Sequence, residues 1–230
     1  MATKEQFLNK IAAKLGRDRA TRVEPPVFQY HPWDHLIRDR SQSDLVEEWA
    51  TRLTELGGHV IRIPTAEGMA SAVGEFLAQQ GMNLLVAWPA PDWVSPDPAE
   101  ALAAGGVQVS RWRKSGEEDR DRLITLSEQA DAGLVYASHG MAETGSIVLY
   151  NRGDRGRLVS LFPNQLIAVL RASDIVPRLT QVLALAGKQA ADYSCINIIT
   201  GPSRTSDIEM DLSIGVHGPG RIAVLLIEEA

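Results

Sequence analysis

Residues 43–138 repeat one pattern, an apolar stripe at helical spacing followed by a break and a short apolar or β-branched run, and this alternation restricts the fold more than any other feature. Leu45, Val46, Trp49, Leu53 and Leu56 form the first stripe, with a cap expected at Ser43 or Asp44 and a stop at Gly57 and Gly58. A strand is expected at His59–Ile63, a helix over 65–80 and a buried strand over 83–88. A loop punctuated by Pro89, Pro91, Pro96 and Pro98 leads to an alanine-rich helix, a strand over 107–112, a helix over about 118–130 and a strand over 133–138. Helix and strand in regular succession require crossover connections, so the fold class is α/β: an open, mostly parallel sheet with helices on both faces.

After Ser138 the pattern changes. Three strand-like runs, 146–150, 158–162 and 165–170, follow one another across short turns, so this part is expected to be antiparallel or mixed. A helix over 174–186 tolerates Pro177 in its first turn, and strands over 195–200, 211–216 and 221–228 complete the chain. At the other end, Phe7, Leu8, Ile11, Ala12 and Leu15 recur at helical spacing before Gly16. Pro25, Pro26 and Pro32 with Phe28, Tyr30 and Trp33 then suit an extended arm laid over a surface, of this chain or of a partner. The expected division is an N-terminal helix and arm, residues 1–42, and an α/β domain, residues 43–230.

Composition removes several classes of function. The 230 residues are 44% hydrophobic, enough for a sizeable core, yet no apolar run approaches the roughly 18–20 residues needed to span a bilayer. The first helix carries Lys4, Glu5, Lys10 and Lys14 among its apolar positions, unlike a secretion signal, so a cytoplasmic protein is expected. A net charge of -6 disfavours nucleic acid, and the arginines of 111–122 are interspersed with acids. Cys195, the sole cysteine, can form neither an internal disulfide nor an iron–sulfur or zinc site by itself. His31 and His35 fall four apart in a proline-broken segment, which gives little reason for a metal site. No Walker loop, G-x-G-x-x-G turn or G-x-S-x-G elbow is present.

Two glycine-flanked polar segments stand where apolar strands end, the usual place for a ligand crevice in an α/β sheet. In His139-Gly140-Met141-Ala142-Glu143-Thr144-Gly145-Ser146, Glu143 is a candidate base, nucleophile or anchor, and Gly140 and Gly145 permit close approach. The same residues also describe a tight hairpin whose Glu and Thr satisfy loop backbone groups. In Gly201-Pro202-Ser203-Arg204-Thr205-Ser206-Asp207-Ile208-Glu209, hydroxyls and exposed amides suit an anion that Arg204 could grip through two nitrogens. The alternative is a capped helix start with an internal ion pair from Arg204 to Asp207 or Glu209. His217, in the turn His217-Gly218-Pro219-Gly220, faces either the same crevice or solvent.

These segments, extended through Ile147-Val148-Leu149 and Gly215-Val216-His217-Gly218-Pro219, resemble the signature of the LUD-domain family. Phe7-Leu8-Asn9-Lys10-Ile11-Ala12, Leu15-Gly16-Arg17 and Val176-Pro177-Arg178-Leu179-Thr180 extend the resemblance over nearly the whole chain. It implies a fold similar to that of the sugar-phosphate isomerase and CoA-transferase superfamily. It also implies a part in bacterial oxidation of L-lactate to pyruvate, with companion proteins that carry the cysteine-rich and iron–sulfur parts; no cofactor is expected in this chain. One departure stands out: where family members often place a histidine after Phe162-Pro163, this chain has Asn164-Gln165-Leu166, so no role of that histidine carries over. Ala142-Glu143-Thr144-Gly145 is similar in form to the glutamate turn of CoA transferases, but no glycine-rich CoA loop accompanies it.

The leading expectation is therefore a subunit of a lactate-oxidising assembly in which Glu143, Thr144, Gly145, Ser203, Arg204, Thr205, Asp207 and His217 line one crevice. Arg204 would hold a small carboxylate, and Glu143 or His217 would handle a proton. The competing expectations are a noncatalytic scaffold for the iron–sulfur partners and an independent transferase or isomerase acting on a small anionic metabolite.

Overall fold

The computed structural model describes residues 3–17, 40–94, 97–113, 119–187, 190–205 and 213–229. The chain divides into two compact units, residues 1–38 and 39–230. In the first, helix α1 (Lys4–Lys14) starts from a reciprocal cap between Thr3 and Gln6 and leaves Phe7, Ile11 and Leu15 exposed. The proline-rich arm expected over 21–34 lies outside the described residues.

The second unit begins with helix α2 (Gln42–Glu55). Its cap is Ser41 rather than Ser43 or Asp44: the Ser41 hydroxyl takes the Asp44 amide, and the Asp44 carboxylate returns to Ser41. Leu45, Val46, Trp49, Ala50 and Leu53 form its buried face. Then follow β1 (His59–Ile63), α3 (Met69–Gln80), β2 (Leu84–Ala87), α4 (Pro98–Ala104), β3 (Gln108–Arg111), α5 (Asp119–Gln129) and β4 (Ala132–Tyr136). Next come β5 (His139–Met141), a single 3-10 turn at Ala142–Thr144, β6 (Ser146–Asn151), α6 (Leu158–Leu161), β7 (Gln165–Arg171), β8 (Ile175–Val176) and α7 (Leu179–Gly187). The chain closes with β9 (Cys195–Ile199), β10 (Arg204–Thr205), β11 (Ser213–Ile214) and β12 (Arg221–Ile227).

Six strands form one sheet in the order β1-β12-β7-β4-β2-β3, every neighbouring pair parallel and the sheet flanked by helices. A mixed sheet, β8-β5-β6-β9, and the two-stranded ladder β10-β11 complete the architecture. The sheet class is as expected, but the place of two strands is not. β7 and β12, read from sequence as part of the mixed region, enter the parallel sheet between β4 and β1. Their runs Leu166–Leu170 and Ile222–Ile227 are buried throughout, which suits strands covered on both faces.

Two further expectations are corrected. Residues 158–162 form no strand: Leu158–Leu161 is helical and presses onto β4 at Gly133, where a Cβ would lie 1.9 Å from the Val159 carbonyl oxygen. The last helix starts at Leu179, because Val176 precedes Pro177 and pairs in β8 with Met141. Of the strand expected over 211–216, Ser213–Ile214 is seen, while 211 and 212 lie outside the described residues.

Candidate functional site

The turn carrying Glu143 is fixed by what surrounds it. Gly145 takes φ +63°, and a Cβ there would lie 2.4 Å from the Leu53 amide nitrogen and 2.8 Å from the Arg52 carbonyl carbon, so the turn is pressed directly on the backbone of α2. From the same helix the buried Trp49 indole donates to the Ser146 carbonyl at 2.9 Å. Gly145 thus serves packing, and Glu143 is committed to another side chain. Arg178 Nε and Nη2 donate to the Glu143 carboxylate at 2.9 and 2.6 Å, and the Glu143 amide donates to the Pro177 carbonyl.

Thr144 leads elsewhere. Its hydroxyl lies 2.7 Å from that of the fully buried Ser146, which in turn lies 2.7 Å from that of Thr200 at the end of β9. This relay of three hydroxyls ties the Glu143 turn to the segment that follows β9. There Gly201, at φ +75°, lets the chain turn against Leu56, where a Cβ would meet the Leu56 side chain at 2.9 Å. Arg204 Nη2 donates to the Leu56 carbonyl at 2.6 Å, satisfying the exposed end of α2. Among the described residues that is the hydrogen bond its guanidinium makes. The Ser203 amide donates to the Pro219 carbonyl and the Gly215 amide to the Ser203 carbonyl, so the Ser203 and His217 turns are laced together.

Thr200, Ser203, Arg204 and His217 line an open cleft of about 410 Å³ beside the amino ends of β7 and β12, with Leu56 and Ile198 on its wall. A second hollow shares Leu161, His217 and Gly218 with it and adds Phe162, Asn164 and Val216. Ile198, Phe162 and Val216 are 40%, 46% and 50% exposed, an apolar rim beside a cationic group. Asn164, in the position where the resembling family often has histidine, accepts from the Gly220 amide and so shapes the His217 turn.

Of the residues expected in one crevice, the structure brings Ser203, Arg204 and His217 together and joins Thr144 to them through Ser146 and Thr200. It does not place Glu143 among the residues lining that cleft. Thr205 pairs with Ser213 in the β10-β11 ladder, and Asp207 lies outside the described residues. Nor does the cleft stand at the carboxyl ends of the parallel strands, as the position of these segments suggested: β5, β6 and β9 belong to the mixed sheet. Among the described residues, no group of three or more His, Cys, Asp or Glu side chains could hold a metal ion.

The carboxyl ends of the parallel strands bear groups that sequence reasoning missed. Tyr136 ends β4, Arg111 ends β3 and Arg171 ends β7. Arg171 pairs with Asp174 through two nitrogens and lies over the Trp93 ring, which meets Tyr136 edge-on. Burial, reinforced by the charge of Asp97, raises the Tyr136 phenol well above its ordinary value, so it stays protonated. Burial also holds the His139 imidazole below its ordinary value, against the opposing charge of Asp174. The available signal was positional, Tyr136 and Arg171 closing the apolar strands β4 and β7 and Arg111 closing the mixed run Gln108–Arg111.

Comparison with known proteins defines the class. The family described as LUD domain matches residues 46–227, and the chain belongs to it. Over nearly its whole length it is similar to two proteins named Lactate utilization protein C. That of Halalkalibacterium halodurans is 33% identical over 231 residues, 98% of each chain, and that of Bacillus subtilis (strain 168) is 34% identical over 244 residues, 98% of this chain and 96% of the relative. A DUF162 family protein from Deinococcus radiodurans has the same fold, with a TM-score of 0.59 and 23% identity over 82% of this chain and 99% of that one.

Proposed function

We propose that this chain serves lactate utilization, specifically the oxidation of L-lactate to pyruvate in company with iron–sulfur partner proteins, and that the Arg204 cleft receives a carboxylate. The names of its relatives support lactate utilization. The observation that carries the cleft reading is Arg204 itself, held by one nitrogen at the end of α2 and exposed in a cleft it shares with Ser203 and His217. A guanidinium so anchored by a single hydrogen bond keeps further N–H donors for an anion.

The carboxylate comes either free in solution or on an acidic side chain of a partner, and the exposed apolar rim of Ile198, Phe162 and Val216 favours the partner. Reconstitution of lactate oxidation from purified components tests both. Omission of this chain is expected to stop pyruvate formation, and Arg204→Ala to lower it by about tenfold or more, the usual consequence of losing a charged hydrogen-bonding group. If Arg204→Ala also abolishes co-purification with the iron–sulfur proteins, the carboxylate belongs to a partner. If the complex survives and KM rises, the carboxylate is free. Undiminished lactate oxidation without this chain would refute the reading.

A further inference from the structure

The Arg204 cleft, of about 410 Å³, opens into the larger hollow beside it, of about 710 Å³. Leu161, His217 and Gly218 line both and so stand between them. Arg204 and Ile198 belong to the first hollow alone, and Phe162, Val216 and Glu128 to the second alone. The two hollows therefore make one trough that runs from a cation at one end, across apolar side chains, to an anion at the other.

The fold makes little use of these groups. Phe162 lies in the turn between α6 and β7, Val216 in the turn after β11, and Ile198 on β9, the edge strand of the mixed sheet; all three stay well exposed. Apolar side chains gathered along one trough form a contiguous patch, the kind of surface kept for a partner. The two charges are equally unused. Among the described residues neither Arg204 nor Glu128 has an ion pair, and the Arg204 guanidinium bonds only to the Leu56 carbonyl.

We infer that this trough is the face through which two copies of the chain associate across a two-fold axis. Such an interface sets the same patch against itself, so the patch must be its own complement. This one is: with the axis through the shared Leu161, His217 and Gly218, Arg204 of each copy faces Glu128 of the other, and the ion pair occurs twice. Phe162 and Val216, beside Glu128, are brought to the hollow at the Arg204 end of the other copy, and apolar surface leaves water on both sides. A net charge of -6 makes two copies repel at long range, so the local pairing of opposite charges is what fixes their approach. A free carboxylate would account for Arg204 alone and leave Glu128 and the apolar groups without a role. The inference rests on the reading of the Arg204 cleft as a carboxylate site and names the carboxylate, Glu128 of a second copy, without which the site is incomplete.

The test is sedimentation velocity of the full chain and of two charge reversals, Arg204→Glu and Glu128→Arg. The natural chain is expected to sediment as a dimer at about 100 μM, and each reversal to raise the dissociation constant about tenfold or more, since it sets two pairs of like charges face to face. Mixed in equal amounts, the two variants are expected to recover the dimer, because each then meets the opposite charge on the other. Misfolded chains would not recover, so loss of contact is told apart from loss of fold. A natural chain that stays monomeric, a dimer untouched by both reversals, or variants that fail to pair on mixing would each overturn the inference. A monomer from which Arg204→Glu removes the iron–sulfur proteins would give the trough to them, and one in which it only raises KM for lactate would give the cleft to the free acid. Either result overturns the dimer and leaves the lactate reading intact, since that reading fails only in the reconstitution without this chain.

Discussion

Glu143 and Arg178, thirty-five positions apart, form a two-pronged ion pair at 2.6 and 2.9 Å that closes the turn between β5 and β6 onto the start of α7. The pair is partly open to solvent, with side-chain exposures of 45% and 26%, so its worth is about 0.5–1 kcal/mol. A carboxylate held this way acts through the position of its turn. Glu143→Gln and Arg178→Met are therefore expected to lower stability by similar small amounts, and the double variant to cost little more than either alone. A double-mutant cycle in urea checks this; fully additive losses would show that the two side chains act independently.

Gly145 allows a sharper comparison. Both Gly145 and Gly153 have positive φ, but a Cβ at Gly153 meets nothing within 4 Å, whereas at Gly145 it meets the backbone of Arg52 and Leu53. Gly153→Ala is expected to cost about 1 kcal/mol, the strain of the left-handed conformation alone. Gly145→Ala should cost at least about 2 kcal/mol more, because α2 must move. Equal costs in urea unfolding would mean that the turn does not press on α2.

How far the sequence was legible follows from where its signals are local. The alternation over β1 to β4 could be read because each helix and strand carries its own periodicity. The insertion of β7 and β12 beside β4 could not, since an apolar run such as Ile222–Ile227 fits the interior of a parallel or a mixed sheet equally well. The helix Leu158–Leu161 is four residues long and apolar at its ends, and its conformation is decided by the missing Cβ of Gly133, a residue far away in sequence. Ser203, Arg204 and His217 were legible because glycines mark their turns. Tyr136 was not, because an aromatic residue closing an apolar run reads as core until its hydroxyl is found without a partner.

The hydroxyl relay carries a cost if broken in the middle. Ser146 is fully buried, and its hydroxyl serves both Thr144 and Thr200. Ser146→Ala leaves both threonine hydroxyls without that partner and is expected to destabilise by about 1–3 kcal/mol. Thr144→Val made in the Ser146→Ala background should cost less than in the natural chain, since its bond is already lost. A larger cost in that background would show that the three hydroxyls do not act as one relay.

His139 gives stability a direction in pH. Its Nδ1 is buried without a hydrogen-bond partner, and burial depresses its pKa below the ordinary 6.5 despite Asp174. As pH falls through that ordinary value the unfolded chain takes up a proton that the folded chain resists, so the unfolded state binds more protons and stability falls with pH. The contribution of the neutral ring is thus complete above about pH 6.5 and declines below it, down to the folded value. His139→Asn removes the titrating ring, so the urea midpoint of the natural chain should drop more than that of the variant between about pH 7.5 and about pH 5.5. Parallel declines of the two proteins over that interval would show that the ring titrates alike folded and unfolded.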